Sequence, residues 1–163
     1  MLSEYRSLLE ILLKERETYT QILALLRTAE KDLRQYHSDE VAEFTTRLES
    51  AKLTADALGQ ARRNVVADLC RLLKIDEANA NVAILAEHAP ENISRALLKL
   101  RDELKALAAD IDRQNDTNRN IAQISLAVIH TLGNLLGQIA NEPLTYARPA
   151  PPTPPATRVD RSV

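Results

Sequence analysis

The chain is poor in the residues that build most small folds. It has no tryptophan, a single phenylalanine (Phe44), and only 3% aromatics in all. A core without large rings must be assembled from Leu, Ile, Val and Ala, which suits helix-on-helix packing. Three glycines in 163 residues leave too few tight turns for a many-stranded β fold. Cys70 is the only cysteine, so no intramolecular disulfide can form, and a reducing compartment is expected. Charge of either sign is not in excess: the net charge is −2, without the basic stripe that nucleic acid requires. The start, Met1-Leu2-Ser3-Glu4-Tyr5-Arg6, lacks the basic opening and unbroken apolar run of a secretory signal. A cytoplasmic protein with no nucleic-acid partner is expected.

What the chain does have is helical periodicity. In the first segment Leu2, Tyr5, Leu9, Leu12, Tyr19, Leu23, Leu26 and Leu33 alternate threes and fours, with Arg16 and Glu30 in the polar slots. Leu8, Ile22 and Ala29 widen that stripe to a width that suits a bundle. This predicts a helix over about 2–36. His37-Ser38-Asp39 breaks it, and Ser38 or Asp39 can cap a second helix over about 39–73. That helix carries Val41, Phe44, Leu48, Ala51, Ala55, Leu58, Val65, Leu69 and Leu72, with Arg62 in one slot. A link this short makes the two antiparallel neighbours. A polar connector from Asp76 follows, with a short helix over about 82–88 before Pro90.

The last helix, about 91–141, is the longest. Ile93, Leu97, Leu100, Leu104, Leu107, Ile111, Gln114, Asn118, Ile121, Ser125, Val128, Leu132, Leu135 and Ile139 keep the spacing without a slip. Pro143 stops it. Of seven prolines only Pro90 precedes Pro143, and the run Pro149 to Pro155 predicts an extended, flexible Pro-rich tail over 143–163. The expected fold is therefore all-α: an elongated antiparallel three-helix bundle or coiled-coil hairpin over 1–142, with a long C-terminal helix and that tail. P-x-x-P spacings in the tail leave a second reading, a ligand for a proline-binding groove.

Helix lengths then point to a surface. The first two helices span about 35 residues, roughly 52 Å at ~1.5 Å per residue, and the last about 50 residues, roughly 75 Å. If the last helix starts level with the end of the second, its final ~15 residues have no neighbour within the hairpin. No charged residue lies between Arg119 and Glu142, while Ile121, Ile124, Leu126, Val128, Ile129, Leu132, Leu135, Leu136 and Ile139 all fall there. An uncovered apolar helix of this kind is suited to holding another polypeptide. Folding back on the protein's own core and pairing with a second copy are the competing uses. Membrane insertion is not expected, because Gln123, His130, Asn134 and Gln138 interrupt the run.

Polar residues in the seams have two readings each. Gln114 and Asn118 stand where Leu or Ile would be expected, either fixing register or facing water above the packed part. In a hairpin turning near His37, Glu15 lies near Arg62, as a buried pair or as two side chains reaching separately for solvent. No catalytic constellation, cofactor motif or metal spacing is present: His37, His88 and His130 are far apart, and Cys70 beside the seam is a small hydrophobe. A non-enzyme is expected.

Three stretches resemble a known family. They are Leu8-Leu9-Glu10-Ile11-Leu12-Leu13-Lys14-Glu15-Arg16-Glu17-Thr18-Tyr19, then Arg62-Arg63 before Val65-Val66, and Asn115-Asp116-Thr117-Asn118-Arg119-Asn120-Ile121 with Leu144-Thr145-Tyr146 beyond. Over about 2–146 the chain resembles the FlgN-like chaperones of flagellar type III export. Where that family commonly has a glycine soon after the tyrosine, this chain has Ala147-Arg148-Pro149. The resemblance implies a cytoplasmic chaperone for the C-terminal segments of hook-associated proteins (FlgK and FlgL). It would prevent premature assembly and deliver them to the export gate and ATPase components. Client binding would map to Asn118, Ile121, Ser125, Val128, Leu132, Leu135 and Ile139, and Tyr146 would dock at the export gate. The alternative is a self-associating coiled-coil protein without a specific export client, a homodimer when client-free.

Overall fold

A computed structural model describes residues 1–35 and 38–139 of the protein. It is helical throughout, and no strand occurs among the described residues. Helix α1 runs Leu2–Gln35, α2 Ser38–Leu73, α3 Val82–Glu87 and α4 Glu91–Ile139, with a 3-10 turn at Glu77–Asn79 ahead of α3. The helices start at Leu2, Ser38, Val82 and Glu91, each within one residue of the expected start, while the expected ends at 36 and 141 lie outside the described residues. The 3-10 turn was not expected. It forms because the Asp76 carboxylate accepts from the Ala78 amide at 3.1 Å, offering the backbone a local partner. Asn81 then caps α3, accepting from the Ile84 amide at 3.0 Å. The expected Pro-rich tail at 143–163 lies outside the described residues.

Helix α1 is the shared partner. It packs along α2 on one side and along α4 on the other, while α3 packs on α4. Contacts between α1 and α4 climb in the same direction: Arg16 Nη1 donates to Glu103 at 3.0 Å, and Gln114 Nε2 donates to Glu30 at 2.8 Å. The two helices are therefore parallel, and α2 runs back between them in sequence. The connector makes this possible by returning the chain to the base of α1 before α4 begins. There Tyr5 is buried, and its hydroxyl donates 2.9 Å to the Leu85 carbonyl, tying the first turn of α1 to α3.

The lower core collects apolar side chains from all four helices. Leu8 and Leu12 meet Leu69 and Cys70, then Val82, Leu85 and Ala86, and finally Ile93, Leu97, Leu100 and Leu104. Above it sits a thinner cluster of Leu23, Leu26 and Ile111, with Phe44, Leu48 and Leu107 half-buried against it. The 3-4 stripes place these residues as expected, with two exceptions at helix ends, the first being Leu2 at 47% exposed. The second, Leu72, is 48% exposed, and Leu73 packs on the core in its place. Helical spacing drifts against a strict 3.5 repeat, and after Leu69 the drift brings position 73 inward.

Helix α2 ends without a glycine. Lys74 sits at φ 57°, and the Ile75 amide donates 3.0 Å back to the Cys70 carbonyl. This is the 6→1 bond of a Schellman cap, with Ile75 half-buried against the core. A side chain in the left-handed region costs about 1–2 kcal/mol, which the cap and the Ile75 contact offset.

Between the two apolar clusters lies an ion pair. Arg62 Nε stands 3.2 Å from Glu15 Oε1, with side chains 5% and 3% exposed. Thr18 is buried nearby and turns its hydroxyl back to the Lys14 carbonyl at 2.9 Å. The pair confirms the hairpin register inferred from the sequence. Desolvating two charges costs about as much as their attraction returns, so the pair specifies register more than it stabilises.

Two outcomes test this account of the fold. Lys74→Gly should raise unfolding stability by about 1 kcal/mol in urea titration, since glycine enters the left-handed region freely. Arg62→Ala should lose about 3–5 kcal/mol by stranding the Glu15 carboxylate, whereas replacing Glu15 and Arg62 together by Leu and Met should lose far less. Additive losses in that cycle would mean the two charges are not coupled.

Candidate functional site

The offset between α1 and α4 fixes where α4 leaves its cover. Three contacts join residues 84, 87 and 92 apart in sequence. Carried to Gln35, that offset puts the end of α1 level with residues 119–127 of α4. At least a dozen residues of α4 therefore project beyond the hairpin, roughly 18 Å or more at ~1.5 Å per residue.

The departure point is marked by amides. Asn118 is only 7% exposed, and its Nδ2 donates 2.8 Å to the Leu26 carbonyl of α1. Its Oδ1 accepts from Gln114 Nε2 at 3.2 Å, and the same Gln114 nitrogen reaches Glu30. The Glu30 carboxylate also accepts from Arg34 Nη2 at 2.8 Å and Nε at 3.1 Å. The Gln114 amide first, and then Arg34, hold the Glu30 carboxyl below the usual carboxylate range. Of the two readings open from the sequence, register applies: Gln114 and Asn118 are bonded to α1 rather than standing above the packed part. Asn118 points inward and is spoken for, so it lies behind the free surface rather than on it.

Above Asn118 the exposure rises along the helix. Ile121 and Ser125 are half-buried, while Val128 and Leu132 are exposed, the latter at 53%. Leu135 and Ile139 belong to the α4 helix, but their side chains lie outside the described residues, as does all of Tyr146. Three further apolar residues are exposed that the heptad reading did not include in the site: Ile124 at 65%, Leu126 at 67% and Ile129. The signal for them was present. They fall in the charge-free stretch, but the 3-4 spacing that selects a seam passes them over. Through Leu132 the projecting helix does not fold back onto the protein's own core.

The remaining residues with chemical potential are dispersed. Cys70 is buried, and burial pushes its thiol up, helped by the charges of Glu77 and Asp76. His88 rests on the Ile84 carbonyl at 3.0 Å and His130 beside Asn134 at 3.1 Å, while His37 lies outside the described residues. Among the described residues no group of three or more His, Cys, Asp or Glu is placed to hold a metal ion, and no helix is long and apolar enough to cross a membrane. A shallow, open furrow of about 500 Å³ on the α1–α2 face, lined by Ala24, Leu25, Thr28, Arg47, Ala51 and Thr54, gathers no reactive set.

The Glu30 contact carries a pH dependence with a definite sign. A carboxyl whose folded pKa lies below its unfolded value contributes stability above the ordinary carboxylate range, and loses it as pH falls through the folded value. Acidification through that range should lower the amide protection factors around Gln114 and Asn118, and Glu30→Gln should remove that pH step. An unchanged exchange profile in wild type would show that Glu30 does not hold this end of the α1–α4 contact.

The family model described as FlgN protein matches residues 1–153, nearly the whole chain. No curated protein and no solved structure gives a significant match. The FlgN proteins are export chaperones rather than enzymes, and a helical chain with an uncovered apolar end is in keeping with that. This chain belongs to the FlgN family, the flagellar export chaperone family.

Proposed function

We propose that the protein is a cytoplasmic chaperone that holds the C-terminal segments of FlgK- and FlgL-like hook-associated proteins and passes them to the type III export apparatus. The observation that carries this reading is the charge-free end of α4, whose Ile124, Leu126, Val128, Ile129 and Leu132 stand in water. Covering such side chains is worth about 1.5–3 kcal/mol each, so together they give a strong drive to acquire a neighbour. A disordered amphipathic segment can supply that neighbour, giving up its chain entropy as it folds against the helix.

Within this reading Ile121, Ser125, Val128, Leu132, Leu135 and Ile139 line the client contact. Asn118 sets how far α4 projects by bonding to Leu26 rather than by touching the client. Residues 1–142 form the chaperone unit, and Tyr146 beyond it is the candidate for docking at the export gate. Occlusion of the same surface keeps the client from assembling early.

Self-association through the same end of α4 is the competing use, and the same experiment separates the two. Titrating the protein with a hook-associated C-terminal segment should give a 1:1 complex. Leu132→Asp should abolish it by placing an unpaired carboxylate under the client, while helicity of the hairpin is kept. Unchanged binding by that variant would remove the end of α4 from client recognition. A tight client-free dimer lost in Leu132→Asp would favour self-association.

A further inference from the structure

The projecting part of α4 is apolar over more of its circumference than one neighbour covers. At ~100° per residue, and counting from Ile124, Val128 lies at about 40°, Leu132 at about 80°, Ile129 at about 140° and Leu126 at about 200°. All five side chains are exposed. Gln123, His130 and Asn134 close the wheel between about 240° and 280°. A helix facing one layer of core carries an apolar stripe only about 100° wide. Roughly half of this arc would stay in water beneath a single helix.

The same helix shows lower down how such an arc is covered. There α4 packs along α1 and against α3, sharing one core with Leu8 and Leu12 of the first and Leu85 of the second. The seam continues without interruption from buried Ile111 and Asn118, through half-buried Ile121 and Ser125, into the exposed arc. What ends at Gln35 is the cover, not the surface. The arc also lacks charge, so whatever covers both flanks must present apolar faces to each.

We infer that the end of α4 takes two helix-forming segments of one client polypeptide at once, one on the Ile124–Val128–Leu132 flank and one on the Ile129–Leu126 flank. One takes the place that a longer α1 would have filled, and the other covers the second flank as α3 covers α4 lower down. The inference rests on the export-chaperone reading and narrows it from an amphipathic segment to a pair. A second copy of this chain, packing its own α4 end alongside, supplies one helix and leaves one flank open.

Calorimetric titration with the purified C-terminal region of a hook-associated protein tests this, using Ile124→Asp, Leu126→Asp and Gln123→Asp. Each of the two flank variants should weaken binding about tenfold or more, because each buries an unpaired carboxylate. Gln123→Asp, on the polar side, carries the same charge and helix cost and should bind within about twofold of wild type. If only one flank variant loses affinity, a single helix occupies the site, and this inference falls while the chaperone reading stands. If Gln123→Asp loses as much as the others, the effect belongs to the helix rather than to the flanks, and the inference falls. Absence of any binding by wild type overturns both. A client-free dimer in sedimentation, disrupted equally from both flanks, would assign the arc to a second copy and overturn it as well.

Discussion

Helix α4 is longer than anything that covers it, and most of what distinguishes this molecule depends on that mismatch. A helix with an apolar stripe is stable in water only where the stripe meets a neighbour. Here α1 provides the neighbour along its own length and then stops. Lower down, four helices contribute to one core. Midway the core thins to Leu23, Leu26 and Ile111. Above Asn118 no α4 side chain is buried among the described residues, and only the unfinished half of a core remains.

Such a gradient needs a firm reference point, because a slide of α4 by one turn would bury or expose a further layer. Polar contacts supply it. The Glu15–Arg62 pair fixes α2 against α1, and the Arg16–Glu103 and Gln114–Glu30 contacts fix α4 against α1. Asn118, bonded to the Leu26 carbonyl, is the uppermost. Apolar packing alone discriminates poorly between registers in a seam of leucines, whereas a buried amide or charge without its partner is costly. The sites at which the apolar pattern is broken are thus the ones that decide how much of it is left open.

The base of the molecule solves a different problem. Returning the chain from the end of α2 to the start of α4 requires reversing direction without glycine. The Lys74 cap, the Asp76 and Asn81 side-chain bonds and the short α3 achieve this with local hydrogen bonds. Tyr5 then locks the connector to α1 through the Leu85 carbonyl. Because α4 starts at the foot of α1 rather than partway up, its surplus length appears all at the far end.

The amino-acid sequence by itself determined the helices, their order and the charge-free stretch, because 3.6-residue periodicity and capping residues are local signals. It also identified Glu15 and Arg62 as facing positions, since a short link leaves a hairpin only one register. It could not determine that Leu72 turns outward while Leu73 turns in, or that Lys74 adopts a left-handed cap. Those follow from how the chain leaves α2 against a core built by other segments. Nor could it decide between the two readings of Asn118, which only the position of the Leu26 carbonyl on another helix resolves. The spacing that found Val128 and Leu132 passed over Ile124, Leu126 and Ile129, because a seam is defined by one neighbour. Which residues stand in water was settled by where α1 ends in space, a length measured against another helix and not along the chain itself.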